Sequence, residues 1–90
     1  MTADQWKYQY KEVKKFLEDR YDVAVNLRNE YKYEFTIHVF MKRDISSAIK
    51  KAVSERFSTW HPVYHLQEPY ANFHFKHGAK KVLWITFYKM

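Results

Sequence analysis

Apolar residues recur at helical spacing in two stretches of the chain. In the first stretch they stand three or four positions apart: Trp6, Tyr10, Val13 and Leu17. Lysines occupy the opposite side, so the pattern predicts an amphipathic helix over residues 3–19. In the second stretch the apolar positions have the same period: Ile45, Ala48, Ile49, Ala52 and Val53. Asp44 precedes them and favours a helix start, which predicts a second helix over residues 44–57.

Three further stretches alternate between apolar and polar residues, as strands with one buried face do. The first two cover residues 21–27 and 31–39, with apolar side chains at the odd positions. A three-residue loop, Arg28-Asn29-Glu30, would place Leu27 opposite Tyr31 and keep all odd residues on one face. The third covers residues 60–66, where Pro62 indicates an edge strand because it has no amide hydrogen.

The end of the chain predicts a hairpin that turns near Gly78, the only glycine. Its arms would be residues 72–76 and 82–88. A three-residue loop pairs odd with odd positions and sends five residues into the core: Phe73, Phe75, Leu83, Ile85 and Phe87. A loop of two or four residues would instead place Phe73 and Phe75 beside Trp84.

These elements predict one α+β domain over residues 1–90 with the helix-first order α-β-β-α-β-β-β. The five strands would form a mainly antiparallel sheet, and both helices would lie on one face of it. No further apolar segment remains to cover the second face, and antiparallel sheets often leave one face to water.

The composition narrows the setting and the partner. Hydrophobic residues make up 47% of the 90 residues and aromatic residues 20%, so the chain can build a core without cross-links. The absence of cysteine favours a reducing, intracellular location. No apolar stretch has the length of a membrane span, so we expect no membrane partner. The net charge of +6 favours a polyanionic partner, either nucleic acid or an acidic protein surface.

The second face of the predicted sheet combines rings with cations, which suits contact with bases and phosphates. The residues expected to contact a nucleic acid or another partner are Lys32, His38, His74, Lys76, Lys80, Lys81, Trp84 and Tyr88. His61 and His65 would join this face if Trp60, Tyr64 and Leu66 point inward. Lys42 and Arg43, just before the second helix, are a secondary anion contact because helix amides favour anions there. The first hypothesis is therefore a non-catalytic domain that binds nucleic acid.

Two other functions fit the same face. The second hypothesis is a protein-binding module, either a small inhibitor or adaptor of a nucleic-acid-handling enzyme or a homodimer formed through this face. The third hypothesis is a metal-independent nuclease that cleaves RNA with one histidine as base and one as acid, for which His38, His74 and Lys76 are the candidates. We expect no metal and no cofactor, because His61 and His65 on one strand lie about 13 Å apart and cannot share an ion.

Overall fold

The computed structural model describes residues 5–31, 34–67 and 78–89. The first helix and hairpin are α1 (Gln5–Arg20), β1 (Val23–Tyr31) and β2 (Glu34–Met41). The second helix and the remaining strands are α2 (Ser46–Arg56), β3 (Trp60–Gln67) and β4 (Lys81–Lys89). The fold is thus α+β and begins with a helix, and both predicted helices form within two residues of their expected bounds where they are described.

The four strands form one antiparallel sheet in the order β1-β2-β4-β3. The described elements consist of two α-β-β units in series. The second strands of the two units, β2 and β4, pair with each other at the centre of the sheet, and the first strands, β1 and β3, lie at its edges. The prediction that β3 is an edge strand is confirmed.

The prediction of a five-stranded sheet is wrong, because the described residues form four strands and leave β4 no free edge. On one side β4 pairs with β2 from Lys81 to Tyr88, and on the other it pairs with β3 from Val82 to Lys89. A strand at residues 72–76 could not pair with 82–88 as the predicted closing hairpin requires. Residues 72–76 themselves lie outside the described part of the chain.

The first hairpin differs from the predicted one in its loop and its pairing. Arg28, Asn29 and Glu30 belong to β1, and Leu27 lies opposite Ile37 instead of Tyr31. Strands β1 and β2 are joined by residues 32–33. A connection of two residues would pair odd with even positions and so place apolar and polar residues on the same face. The register shifts between Leu27 and Asn29, however, because β1 contains one additional residue there, Arg28. This β-bulge restores odd-with-odd pairing before it.

The inner face of the sheet and the apolar stripes of both helices make the core. Phe35 stacks on Phe87 with ring centroids 4.8 Å apart, and Trp60 meets Phe35 edge-on at 5.3 Å. The fully buried residues include Val13, Leu17, Val25, Ile37, Val39, Ile49, Val53, Leu83 and Ile85. The predicted inward positions Leu83, Ile85 and Phe87 are confirmed. Trp60, Tyr64 and Leu66 lie in or against this core, which meets the condition for His61 and His65 to be on the second face.

Candidate nucleic-acid interface on the outer face of the sheet

The face of the sheet opposite the helices, here the outer face, is ordered by the cross-strand pairing. One row of neighbouring residues runs across all four strands: Asn26, His38, Trp84 and His65. A second row lies two positions along β4 and contains Thr36, Thr86 and Val63, and a third contains Glu34, Tyr88 and His61. Because alternate residues share a face, the predicted outward direction of Trp84, Tyr88, His61 and His65 agrees with this register.

The outer face is only partly accessible, contrary to the expectation of a bare surface. Phe40 and Val82, at one end, are 7% and 2% exposed. The opposite end and the β3 side are open, since Val63 is 55% and Tyr88 43% exposed. We call this region the outer patch and define it by six residues: Arg28, His61, Val63, His65, Trp84 and Tyr88. A partner that binds the outer face would contact mainly these six residues.

Trp84 is at the centre of an aromatic and cationic cluster. The His38 ring lies 4.5 Å from the Trp84 ring, and the His65 ring approaches it edge-on at 6.1 Å. The guanidinium of Arg28 lies over the Trp84 ring, 4.5 Å from its centroid. A cation over an indole face is stabilising by about 0.5–2 kcal/mol, depending on its desolvation. The indole Nε1 of Trp84 is buried and makes no hydrogen bond within the described residues.

Arg28 is the residue of this cluster that the sequence did not indicate. It was expected in a loop, but the β-bulge places it on β1, two strands away from Trp84. Strand spacing is about 4.8 Å, so the side chain reaches across β2 to contact the indole. One signal could have indicated the β-bulge. A hairpin with a connection of two residues pairs odd with even positions, so the apolar odd faces of β1 and β2 match only if one strand contains an additional residue.

The predicted lysine contacts are divided between paired and unpaired positions. Lys42 forms an ion pair with Asp22 at 3.2 Å, and Lys81 with Asp44 at 3.4 Å. Lys80 is exposed and immediately precedes β4. Within the described residues it forms no ion pair. It is thus the predicted cation best placed to meet a phosphate. Lys32, His74 and Lys76 lie outside the described part of the chain.

A carboxylate, that of Asp44, already lies just before α2. Asp44 Oδ1 accepts hydrogen bonds from the Ser46 N–H at 2.9 Å and from the Ser46 hydroxyl. These hydrogen bonds, followed by Lys81, hold the pKa of Asp44 below its ordinary value of 3.8. An incoming anion beside Lys42 and Arg43 would have to compete with Asp22 and Asp44. The local positive charge at the secondary anion contact, Lys42 and Arg43, is therefore smaller than the two basic residues alone suggest.

Of the three residues in the nuclease hypothesis, the described part of the chain contains His38, whereas His74 and Lys76 lie outside it. His38 and His65 share a row but stand on either side of Trp84, two strand spacings or about 10 Å apart. An acid and a base that act on one phosphate have to reach the same group by hydrogen bonds. Among the described residues, no three histidine or carboxylate side chains converge as metal ligands.

Comparison of the chain with protein-family models, with curated proteins and with solved structures finds no match. Within the described ranges, neither helix is long and apolar enough to cross a membrane.

Proposed function

We propose that this protein is a small basic domain that binds nucleic acid, without catalysis, through the outer patch. The observation that carries the proposal is the position of Arg28 over Trp84, which shares a row with two histidines and a strand face with the exposed Tyr88. Rings offer stacking surfaces to bases, and a guanidinium offers both a stacking plane and phosphate hydrogen bonds. A location inside the cell, where such partners occur, belongs to the same proposal.

Charge supports this choice of partner. The chain carries a net charge of +6, and Lys80 adds a cation at the end of β4. The outer patch contains Arg28 and two histidines and no carboxylate, and Glu34, in register with Tyr88, is an acidic residue at its border. Cations that neutralise phosphates release counterions, which makes the affinity fall steeply with salt.

The test is fluorescence anisotropy with labelled oligonucleotides of roughly 12 nucleotides, both single-stranded and duplex. We expect binding at about 50 mM salt and a large loss at about 200 mM. Tyr88→Ala should weaken binding of whichever form binds, whereas the matched variant Tyr8→Ala should not. Tyr8 is an equally suitable exposed tyrosine, but it lies on α1. If neither oligonucleotide binds at low salt, the proposal is wrong.

A second candidate, binding of another protein, is favoured by one observation. Val63 and Tyr88 are large, exposed and apolar or aromatic, and they lie on adjacent strands of the outer patch. Such a surface would fit a second copy of this chain, or a protein on which the domain acts as a small inhibitor or adaptor. Sedimentation velocity of wild type and Val63→Lys tests the homodimer: a dimer that becomes monomeric supports it, and an unchanged mass contradicts it.

A further inference from the structure

We infer that the nucleic acid bound by the outer patch is single-stranded and lies along β4. This inference rests on the proposed function and specifies its substrate. Trp84 and Tyr88 are on β4, which has β2 on one side and β3 on the other. Their rings therefore project from the interior of a sheet and not from its rim.

That position keeps the rings away from the bases of a duplex. Four strands span about 14 Å between the outermost strand axes, whereas the major groove of B-DNA is about 12 Å wide and accepts a helix or a two-stranded ribbon. A sheet of this width rests on the phosphates at the groove edges. Duplex bases also remain stacked on each other, so neither Trp84 nor Tyr88 can stack on one. An unpaired base has no such restriction.

The outer patch offers two stacking positions to unpaired bases. The first is the guanidinium of the exposed Arg28, which lies over the Trp84 ring at 4.5 Å from its centroid, while the His38 ring lies 4.5 Å from the same indole. Bases stack on guanidinium planes as they do on aromatic rings. The second is the exposed ring of Tyr88. Four residues of β4 separate Trp84 from Tyr88, which is about 13 Å along the strand.

A phosphate contact lies on the same line. Lys80 is exposed and immediately precedes β4, at the end of the strand opposite to Tyr88. Lys42, which follows β2 at the same end of the sheet, is engaged by Asp22 at 3.2 Å. The Arg28–Trp84 pair and Tyr88 therefore form the accessible part of a path along β4. Lys80 is a cation beyond Val82, which is only 2% exposed.

The test compares a single-stranded oligonucleotide of roughly 12 nucleotides with a duplex of the same sequence, by anisotropy at one salt concentration. The proteins are wild type, Arg28→Ala, Arg28→Lys, Tyr88→Ala and the control Tyr8→Ala. We expect the single strand to bind at least about tenfold more tightly than the duplex. Arg28→Ala and Tyr88→Ala should each weaken single-strand binding roughly 5- to 100-fold. Arg28→Lys should lose most of this affinity too, because an ammonium has no stacking plane.

The outcomes separate this inference from the proposed function. Duplex binding that equals or exceeds single-strand binding overturns the inference and leaves nucleic-acid binding intact. Absence of binding to both forms overturns both. Wild-type affinity for the single strand in Arg28→Ala and Tyr88→Ala also overturns the inference. Both side chains are exposed, so the variants should fold, and circular dichroism with a thermal melt verifies that they do.

Discussion

The carboxylate of Glu18 accepts a hydrogen bond from the backbone N–H of Val25 at 2.9 Å. Lys14 completes the contact, since its ammonium donates to the Val25 carbonyl at 2.7 Å and to Glu18 at 2.9 Å. Val25 belongs to the edge strand β1, whose outward backbone groups would otherwise be open to pairing with another chain. Two side chains of α1 thus take the place of a neighbouring strand.

Glu18→Ala should lower the free energy of unfolding by about 1 kcal/mol, because it removes a charge-assisted hydrogen bond that is only partly shielded from water. Urea denaturation gives the difference. Lys15→Ala is the matched control, as its ion pair with Asp19 is long, 3.9 Å, and exposed; we expect a change near zero there. Equal stabilities of the two variants would mean that the contact with Val25 does not stabilise the fold.

The central position of β4 should be visible in amide hydrogen exchange. The N–H of Trp60 donates to the Phe57 carbonyl, at 3.1 Å, and not to β4. In an antiparallel pair, alternate residues direct their N–H groups to the same side of the strand, so the even residues of β3 direct theirs away from β4. We expect the Tyr64 and Leu66 amides to exchange fast, and those of Val63 on β3 and Ile85 on β4 to exchange slowly. Residue-resolved NMR exchange measures this, and fast exchange at Ile85 would contradict the strand order.

The sequence predicted those parts of the fold in which a residue's face depends only on its own segment. The stripes of Val13 and Leu17 on α1, and of Ile49 and Val53 on α2, follow from helical period and burial. The alternation of Leu83 and Ile85 with Trp84 gave both faces of β4 correctly. In each case one apolar face has to be buried, whatever lies against it.

The choice of strand partners could not be read in the same way. Alternation at Phe73 and Phe75 is compatible with a strand, but it carries no information on which strand occupies the edges of β4. The pairing of β4 with both β2 and β3 decides that question, and it depends on the whole sheet. Local pattern and global pairing are separate constraints.

The candidate site shows the same division. Trp84 and Tyr88 were predicted to face outward, because the alternation of residues along one strand is enough to assign each of them to a face. Arg28 was missed, since its approach to Trp84 depends on a β-bulge and on two strands that meet only in the folded chain. The ion pairs of Lys42 with Asp22 and of Lys81 with Asp44 likewise form only in the folded chain. The sequence therefore predicted more lysines available to a partner than the structure has.

The carboxyl group of Asp44 should make stability depend on pH in the acid range. Its hydrogen bonds with Ser46 lower its pKa in the folded state from 3.8. A group with a depressed folded pKa contributes its full stability above the unfolded pKa and loses it as the pH falls through the folded pKa. Urea denaturation of wild type and Asp44→Asn at pH values from about 6 down to about 3 tests this linkage.

We expect the stability difference between wild type and Asp44→Asn to be largest near pH 6 and to shrink below pH 4, where the aspartate becomes protonated. Asparagine retains an acceptor oxygen for the Ser46 N–H but has no charge for Lys81, which lies 3.4 Å from Asp44. Ser47→Ala is a suitable control at an exposed position of the same turn. A difference that is constant over the pH range would exclude a role for the Asp44 charge.

Thr36 and Thr86 face each other on the two central strands, and their hydroxyl oxygens are 2.9 Å apart in a hydrogen bond. Thr36 is only 8% exposed, so water does not readily replace a lost partner. Thr86→Val should therefore reduce the free energy of unfolding by about 1–2 kcal/mol, because it leaves a buried hydroxyl without this partner. Thr36→Val should cost less, since Thr86 is more accessible.

The double variant Thr36→Val/Thr86→Val distinguishes a hydrogen-bond effect from a packing effect. Valine has the shape of threonine and favours strands, so removing both hydroxyls replaces the polar pair by an apolar cross-strand pair. We expect the double variant to be within about 0.5 kcal/mol of wild type and thus clearly non-additive. Urea denaturation of all four proteins closes the double-mutant cycle. Additive losses would mean that the two hydroxyls stabilise the sheet independently and that their hydrogen bond contributes little.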